Sequence, residues 1–350
     1  MKKLVAVLLT VLMLASALVG CSTPAAETPA ATTTTEAAVT PVEPEKKFSV
    51  ALLLPGPVND GGFNQAAYEG YAATKEKYNI ETSYTENIPL VDYETVILDY
   101  VDKGVDLIIG FSADFTDAMV KIAPTALDTQ FVVISGKTAQ EPNLAVYRFN
   151  TPETGFIAGS LAALVSKDGT VGIIAGQSFP HVKDAVVGFE AGAKYINPSI
   201  KVLTGYTESW TDMAKGKEMA MAMLDQGADV LSGNANAVTL GIIGAAAERG
   251  KRAIGYVSDQ NSIAPEAIAA SAIQDGGMMM DTIVKDGLAG NIKPVVVLVG
   301  AKDGAIRMSK WYHEDWVGAE GVKKMDDIIN GLKDGSLKEK GIVPKSSFEN

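Results

Sequence analysis

The chain has 350 residues, 47% of them hydrophobic, with a formal net charge of −12, two histidines and one cysteine. That length allows two domains, and the apolar fraction is enough to fill a sizeable core. The acidic excess opposes binding to phosphate backbones, so nucleic acid is not expected as a partner, and a single cysteine excludes an intrachain disulfide.

The first 21 residues read as a leader peptide. Met1-Lys2-Lys3 supplies a positive start, residues 4–18 supply an apolar stretch short for a bilayer span, and Leu18-Val19-Gly20-Cys21 has the pattern of a lipobox. Cys21 is then the thiol that receives diacylglycerol, and the mature chain begins there, anchored to the extracytoplasmic face of a cell membrane. Loss of Lys2 and Lys3 with the leader takes the formal charge from −12 to −14. Residues 22–46 are rich in Ala, Thr, Pro and Glu, with no apolar side chain larger than valine. Such a segment cannot bury enough surface to offset its ordering entropy and reads as a disordered tether.

From residue 47, β-branched apolar runs alternate with helical patterns: 48–54 then 63–78, 107–110 then 115–127, and 131–134. This is the signature of βαβ units on a parallel sheet. The order then recurs. Gly56 matches Gly176, Tyr84-Thr85-Glu86 matches Tyr206-Thr207-Glu208, and Gly104-Val105-Asp106 matches Gly227-Ala228-Asp229, at offsets of 120, 122 and 123 residues. Glycines on the first helix of each half, Gly70 and then Gly188 and Gly192, are expected to let helix and sheet approach closely. The duplication implies two doubly wound parallel-sheet lobes, each with a crevice at the carboxyl ends of its strands. If those crevices face each other, one cleft lies between the lobes and closes by a hinge. Residues 338–350 are mixed and polar and are expected to run over the surface.

Signals for catalysis are weak. His181 and His313 lie in polar surroundings that suggest surface positions; no HExxH string, Gly-x-Ser-x-Gly elbow, phosphate loop or dinucleotide fingerprint is present. Neither enzyme activity, a cofactor nor a metal is expected. Asp212, Asp229 and Asp259 are too dispersed for a metal cluster, and helix-cap or turn roles suit two of them.

The loops at the strand ends offer ligand contacts instead. After the first strand come Asn59, Asp60, Gly61, Gly62, Phe63 and Asn64, which combine close backbone approach, directional hydrogen bonds and a flat apolar face. Asp60 as an N-cap and Phe63 as a hydrophobic staple are the structural alternatives. The second half supplies Phe179 at the equivalent loop and Trp210 between Ser209 and Thr211, a poor core position but a good lid for a planar heterocycle. Asp117 and Asp259 follow strands, and an ionised carboxylate can accept both hydroxyl hydrogens of a ribose cis-diol. For Asp117, capping the helix is an equal alternative.

The run Asn59-Asp60-Gly61-Gly62-Phe63-Asn64 with Gly70 resembles the Asn-Asp-x-x-Phe-Asn-x-x-x-x-x-Gly motif of the basic membrane protein (BMP) family of lipoprotein substrate-binding proteins. The resemblance continues through Glu153-x-Gly155-Phe156-Ile157-Ala158-Gly159, Gly188-Phe189-Glu190-Ala191-Gly192, Gly227-Ala228-Asp229-Val230 and Ile254-Gly255-Tyr256-Val257-Ser258-Asp259-Gln260. It implies a type I periplasmic-binding-protein fold, with lobe 1 over residues 47–150 completed by about 262–350 and lobe 2 over 151–261. It also implies a monomer that captures a small molecule for the permease and ATPase of an ABC importer, the family's characterised ligands being purine nucleosides. Asp60, Phe63, Asn64, Asp117, Trp210 and Asp259 fall where the family contacts its ligand. Two departures bear on specificity: Ser232-Gly233-Asn234-Ala235-Asn236-Ala237 replaces a glycine-rich stretch, and Gln274 stands at a usual lysine. A free purine base or another planar heterocycle is therefore the alternative ligand, and ligand sensing at the membrane the alternative role. An exported hydrolase on this scaffold would lack a nucleophile.

Overall fold

Short runs of β-branched residues become strands, and the Ala-, Gly- and Lys-rich runs between them become helices, because the apolar period switches from two to 3.6. The computed structural model describes residues 46–59 and 64–349 together with the backbone of Phe63. Cys21, residues 22–45 of the tether and Asp60 lie outside the described residues, as does the ring of Phe63. The first half runs β1 (Ser49–Leu53), α1 (Phe63–Tyr78), β2 (Glu81–Thr85), α2 (Tyr93–Asp102), β3 (Leu107–Gly110), α3 (Thr116–Ile122), β4 (Gln130–Ile134) and β5 (Leu144–Phe149). The second half runs α4 (Thr151–Val165), β6 (Thr170–Ala175), α5 (Pro180–Ile196), β7 (Lys201–Tyr206), α6 (Met213–Asp225), β8 (Val230–Asn234), α7 (Val238–Glu248), β9 (Arg252–Val257) and β10 (Ile268–Gln274). The chain finishes with α8 (Gly276–Leu288), β11 (Val296–Val299), β12 (Ile306–Met308), α9 (Gly318–Lys333) and α10 (Ser336–Glu339).

Two six-stranded sheets result, ordered β2-β1-β3-β4-β5-β11 and β7-β6-β8-β9-β10-β12. Every pairing is parallel except that of β12 with β10. The internal repeat has a physical cause. Gly104 (φ +68°) and Gly227 (φ +97°) turn the chain after α2 and α6, where a side chain would be strained. The aspartate two residues later then ties down the amino end of its sheet. Asp106 Oδ2 accepts from the N–H and hydroxyl of Ser49 at 2.8 and 2.6 Å. Asp229 accepts from the Asp168 N–H at 2.8 Å and the Ser166 hydroxyl at 2.6 Å.

Two expectations need correction. The glycines of α1 and α5 admit a neighbouring helix, not the sheet. A Cβ at Gly70 would lie 2.2 Å from the Cα of Gly277 on α8. Cβ atoms at Gly155 and Gly159 would lie 2.0 and 1.9 Å from the carbonyl oxygens of Ala185 and Phe189, and those at Gly188 and Gly192 2.2 and 2.1 Å from those of Pro152 and Phe156. Helices α4 and α5 thus meet backbone to backbone over two turns. Secondly, only α8 and β11 return to the first sheet; β10 and β12 extend the second. The small apolar residues Ile268, Ala269, Ala270 and Ala272 of β10 are fully buried beside β9, so the completing segment is 276–299, not all of 262–350. The polar tail runs over the surface as expected and is pinned there at two buried residues, Val343 and Ser346. Asp184 on α5 accepts from the Ser346 hydroxyl at 3.0 Å and the Ser347 N–H at 2.7 Å, and the Phe348 ring lies 3.8 Å from the Arg148 guanidinium of β5. Lys338, Glu339, Lys340 and Lys345 remain exposed beside these contacts. Among the described residues, no helix is long and apolar enough to cross a membrane.

The lobes are joined at Asn150, at Asp275 and through residues 300–305. Glu153, on the first turn of α4, binds two of these connections together. Its Oε1 accepts from the Asn150 amide at 2.7 Å and its Oε2 from the Ala301 N–H at 2.7 Å. A Cβ at Gly300 would approach that Oε2 to 2.5 Å, so the contact requires glycine. The Asp275 N–H donates to the Ala305 carbonyl at 2.7 Å, and its Oδ2 accepts from Arg307 Nε and Nη2 at 3.1 and 3.0 Å. Burial pushes the Glu153 carboxyl above the usual glutamate range, against the opposing pull of the Ala301 N–H and Asn150 amide.

Gly159→Ala is expected to cost about 2–4 kcal/mol, because the helix backbones must separate. Gly244→Ala on α7, where a Cβ meets nothing within 4 Å, is expected to stabilise by about 0.5–1 kcal/mol. Urea unfolding of both variants checks the pair. For Glu153 the folded value lies above the unfolded one, so its contribution is fully present below about pH 4.3 and is lost as pH rises through the folded value. The difference in melting temperature between wild type and Glu153→Gln is therefore expected to shift in favour of the variant as pH rises, as melting curves from pH 4 to 8 would show.

Candidate functional site

All three connections join carboxyl ends. The first leaves the end of β5, the second the end of β10, and the third the end of β11, entering β12 where Ile306 pairs with Gln274 at the end of β10. The carboxyl edges of both sheets therefore border the same seam, the position at which doubly wound folds present ligands.

Backbone strain collects at these edges. Non-glycine residues in the left-handed region include Asn87 and Glu208 after β2 and β7, Ser135 and Val257 at β4 and β9, and Asn236 after β8. The first two pairs occupy corresponding positions in the two lobes. Val257, at φ +70° and 39% exposed, is the most strained, since a β-branched side chain tolerates this conformation poorly. Such residues cost about 1–3 kcal/mol each, so surrounding contacts must hold them.

On the first lobe, the Gly56 loop leaves β1 and is held by Glu86, whose Oε2 accepts from the Val58 N–H at 2.6 Å. The Asn64 amide lies against Gly56, where a Cβ would come within 2.7 Å of Nδ2. Asp117 is exposed on the first turn of α3 and makes no hydrogen bond or ion pair with the described residues. It does not cap that helix, whose N-cap position is Phe115; the Ser112 hydroxyl serves the turn before it, accepting from the Asp114 N–H at 3.2 Å. Lys137, exposed just past β4, places a cation on the same edge that sequence reasoning did not single out.

On the second lobe, Trp210 follows β7 and is half-buried. Its Cε3 and Cζ3 occupy the space that a Cβ at Gly176 would need, at 2.4 and 2.5 Å. The absence of a side chain at Gly176 is what lets the indole settle on the loop after β6. The Ser209 hydroxyl accepts from the Thr211 and Asp212 N–H groups at 3.2 and 3.0 Å, and Asp212 caps α6 by accepting from the Lys215 N–H at 3.0 Å. Phe179 is the N-cap residue of α5 and 50% exposed, its ring 6.1 Å from that of His181. His181 lies in the first turn of α5, where burial foremost, and the nearby Arg148 charge, depress its pKa. His313 is held by the Pro265 carbonyl at 2.7 Å and stacks on Trp316 at 4.1 Å.

Asp259, past the end of β9, is exposed. Its Oδ1 accepts from the Asn261 N–H at 3.3 Å and its Oδ2 from the Tyr312 hydroxyl at 2.6 Å. Tyr312 was missed by sequence reasoning because it lies 53 residues away, beyond the third connection. Gln274 donates to the Thr154 hydroxyl at 3.2 Å, tying the end of β10 to α4. Asn64 and Asp117 of one lobe and Phe179, Trp210 and Asp259 of the other each follow the carboxyl end of a strand. Among the described residues, no group of three His, Cys, Asp or Glu side chains could hold a metal ion.

Residues 47–337 match the family described as ABC transporter substrate-binding protein PnrA-like. A purine-binding protein of Brucella abortus is 30% identical over 300 residues, 84% of this chain and 83% of its own. The transcriptional activator protein Med of Bacillus subtilis is 30% identical over 227 residues, 65% of this chain and 70% of its own. Among solved structures, a transcriptional activator of the comK gene from Bacillus halodurans superposes with a TM-score of 0.73 at 26% identity, covering 85% of this chain and 99% of that one. An ABC transporter solute-binding protein from Aeropyrum pernix superposes at 0.66 and 22% identity, covering 83% and 92%, which establishes a shared type I periplasmic-binding fold.

Proposed function

The chain belongs to the PnrA-like family of ABC transporter substrate-binding proteins, and from that premise we propose that it captures a purine nucleoside in the seam between its lobes and presents it to the permease and ATPase of an ABC importer. The observation that carries the reading is Trp210 seated on Gly176 at one carboxyl edge, with its remaining surface available to a flat guest. Stacking supplies affinity for any heterocycle. Asp117, which has no partner among the described residues, and the exposed Asp259 then supply the acceptors that suit ribose hydroxyls. Asn64 reads the edge of the base, Phe179 lines the rim, and Asp60 and Phe63 complete the first-lobe loop by motif. The name of the Brucella relative supports a purine ligand.

Asp117 and Asp259 favour a nucleoside over the alternative of a free base. Replacement of the usual cation by Gln274, already engaged with Thr154, weighs the other way and makes the sugar the decisive contact to test. A ligand-sensing role at the membrane is the second reading, favoured by the two relatives described as transcriptional activators. Growth on a labelled nucleoside separates the roles, since only an importer component limits uptake when deleted. Attachment through Cys21 places the protein on the extracytoplasmic face of the membrane, as a monomer.

Mass spectrometry of ligand released from the freshly purified, denatured protein is expected to show a purine nucleoside. Trp210→Ala is expected to weaken calorimetric affinity by about tenfold or more, since base stacking contributes about 1–3 kcal/mol, and Asp117→Ala to weaken adenosine more than adenine. Both variants within twofold of wild type for every purine would contradict the reading. For the anchor, Cys21→Ser is expected to move the protein from the membrane fraction to the soluble one and to abolish incorporation of labelled fatty acid.

A further inference from the structure

The end of the chain makes a fourth crossing between the lobes, one with no covalent bond across it. Val343 is buried in the core that α5 and β6 share in the second lobe. The chain then turns at Ser346, whose hydroxyl and carbonyl accept from the Phe348 and Glu349 N–H groups at 3.3 and 3.0 Å. Asp184 on α5 holds that turn through three donors, the Ser346 hydroxyl at 3.0 Å, the Ser347 N–H at 2.7 Å and the Ser347 hydroxyl. Glu349 pairs with Lys338 of α10 at 2.8 Å. All of these partners belong to the second lobe. Phe348 reaches the first: its ring lies 3.8 Å from the guanidinium of Arg148 on β5, and Arg148 Nη1 in turn donates to the Gly136 carbonyl just past β4.

The two ends of this crossing are unequal. At the second lobe a buried carboxylate accepts from three donors, and losing them would leave a charge uncompensated away from water. At the first lobe a ring covers the flat face of a cation, a contact with no hydrogen bond of its own. When the ring lifts, Arg148 keeps its bond to Gly136 and gains water on the uncovered face, so the Phe348 end is the one that parts. We propose that residues 343–349 are a clasp, fastened to the second lobe at Asp184 and closing on the first at Arg148, which holds the angle between the lobes until the Phe348 ring lifts. Arg148 stands two residues before Asn150 and the first connection. The ring moves with one lobe and the guanidinium with the other, so a change of interlobe angle shifts one against the other. Any ligand whose affinity differs between angles is coupled to the clasp by the same free energy, whichever ligand the seam takes.

The test is a distance measurement between the lobes. Ala73 on α1 and Glu218 on α6, both exposed, are replaced by cysteine and spin-labelled in the full chain carrying Cys21→Ser, and pulsed electron paramagnetic resonance gives the label-to-label distance distribution. Phe348→Ala is expected to shift the ratio of the wild-type distance to all others about fivefold, the scale of one partly exposed cation–π contact. Its melting temperature is expected to stay within about 3 °C of wild type. Deletion of residues 346–350 removes the whole crossing and is expected to shift the ratio at least as far. Should either variant fail to fold, Phe348→Leu, which keeps the apolar bulk and loses the ring face, is expected to give the same shift. A Phe348→Ala distribution superimposable on wild type would overturn the clasp. A lower melting temperature with that unchanged distribution would show a tail that only packs, and would overturn it equally.

Discussion

The Glu153 carboxylate is the contact on which the two-lobed arrangement depends. It accepts from Asn150 at the first connection and from the Ala301 N–H at the third, so two strands of the hinge share one buried acceptor. Removing a carboxylate from water is unfavourable unless its oxygens are satisfied, and here each oxygen has a donor. The second connection joins the same assembly through Asp275, which receives Arg307 and donates its N–H to Ala305. These contacts gather all three connections between the lobes at one place.

This economy follows from the duplication. Each lobe places its first strand second from one edge of its sheet, its glycine turn and aspartate at the amino end, and most of its left-handed non-glycine residues at the carboxyl end. The amino edges are closed by Asp106 and Asp229, which are tied to backbone and hydroxyl donors. The carboxyl edges are left with exposed acids and aromatics and with backbone in sparsely populated conformations. The glycine-lined contact between α4 and α5 adds rigidity close to the hinge, because helices whose backbones touch cannot slide without collision.

Much of this was legible in the residues. The βαβ order, the repeat and the two-lobed class follow from apolar periodicity and from three strings in register, because the same turn and the same acceptor are needed twice. Trp210, Asp117 and Asp259 could be placed at strand ends by the same reasoning. What resisted was whatever depends on distant pairing. Gly188 and Gly192 look identical in sequence whether they face a sheet or a helix, and only the third dimension shows Pro152 and Phe156 opposite them. The polar tail reads as surface-running, but its anchoring on Asp184 is not visible in the sequence, and neither is the contact between Tyr312 and Asp259. The return of 276–299 to the first sheet was misjudged in extent for the same reason, since β10 carries no local mark of which sheet it will join.

The central claim is that the lobes close on a purine nucleoside held between their carboxyl edges. Small-angle X-ray scattering of the purified protein, with and without a saturating purine nucleoside, tests it most directly. The radius of gyration is expected to fall on addition of the nucleoside as the seam closes. Calorimetrically verified binding with superimposable scattering curves would contradict it, because the ligand would then sit where the hinge does not respond.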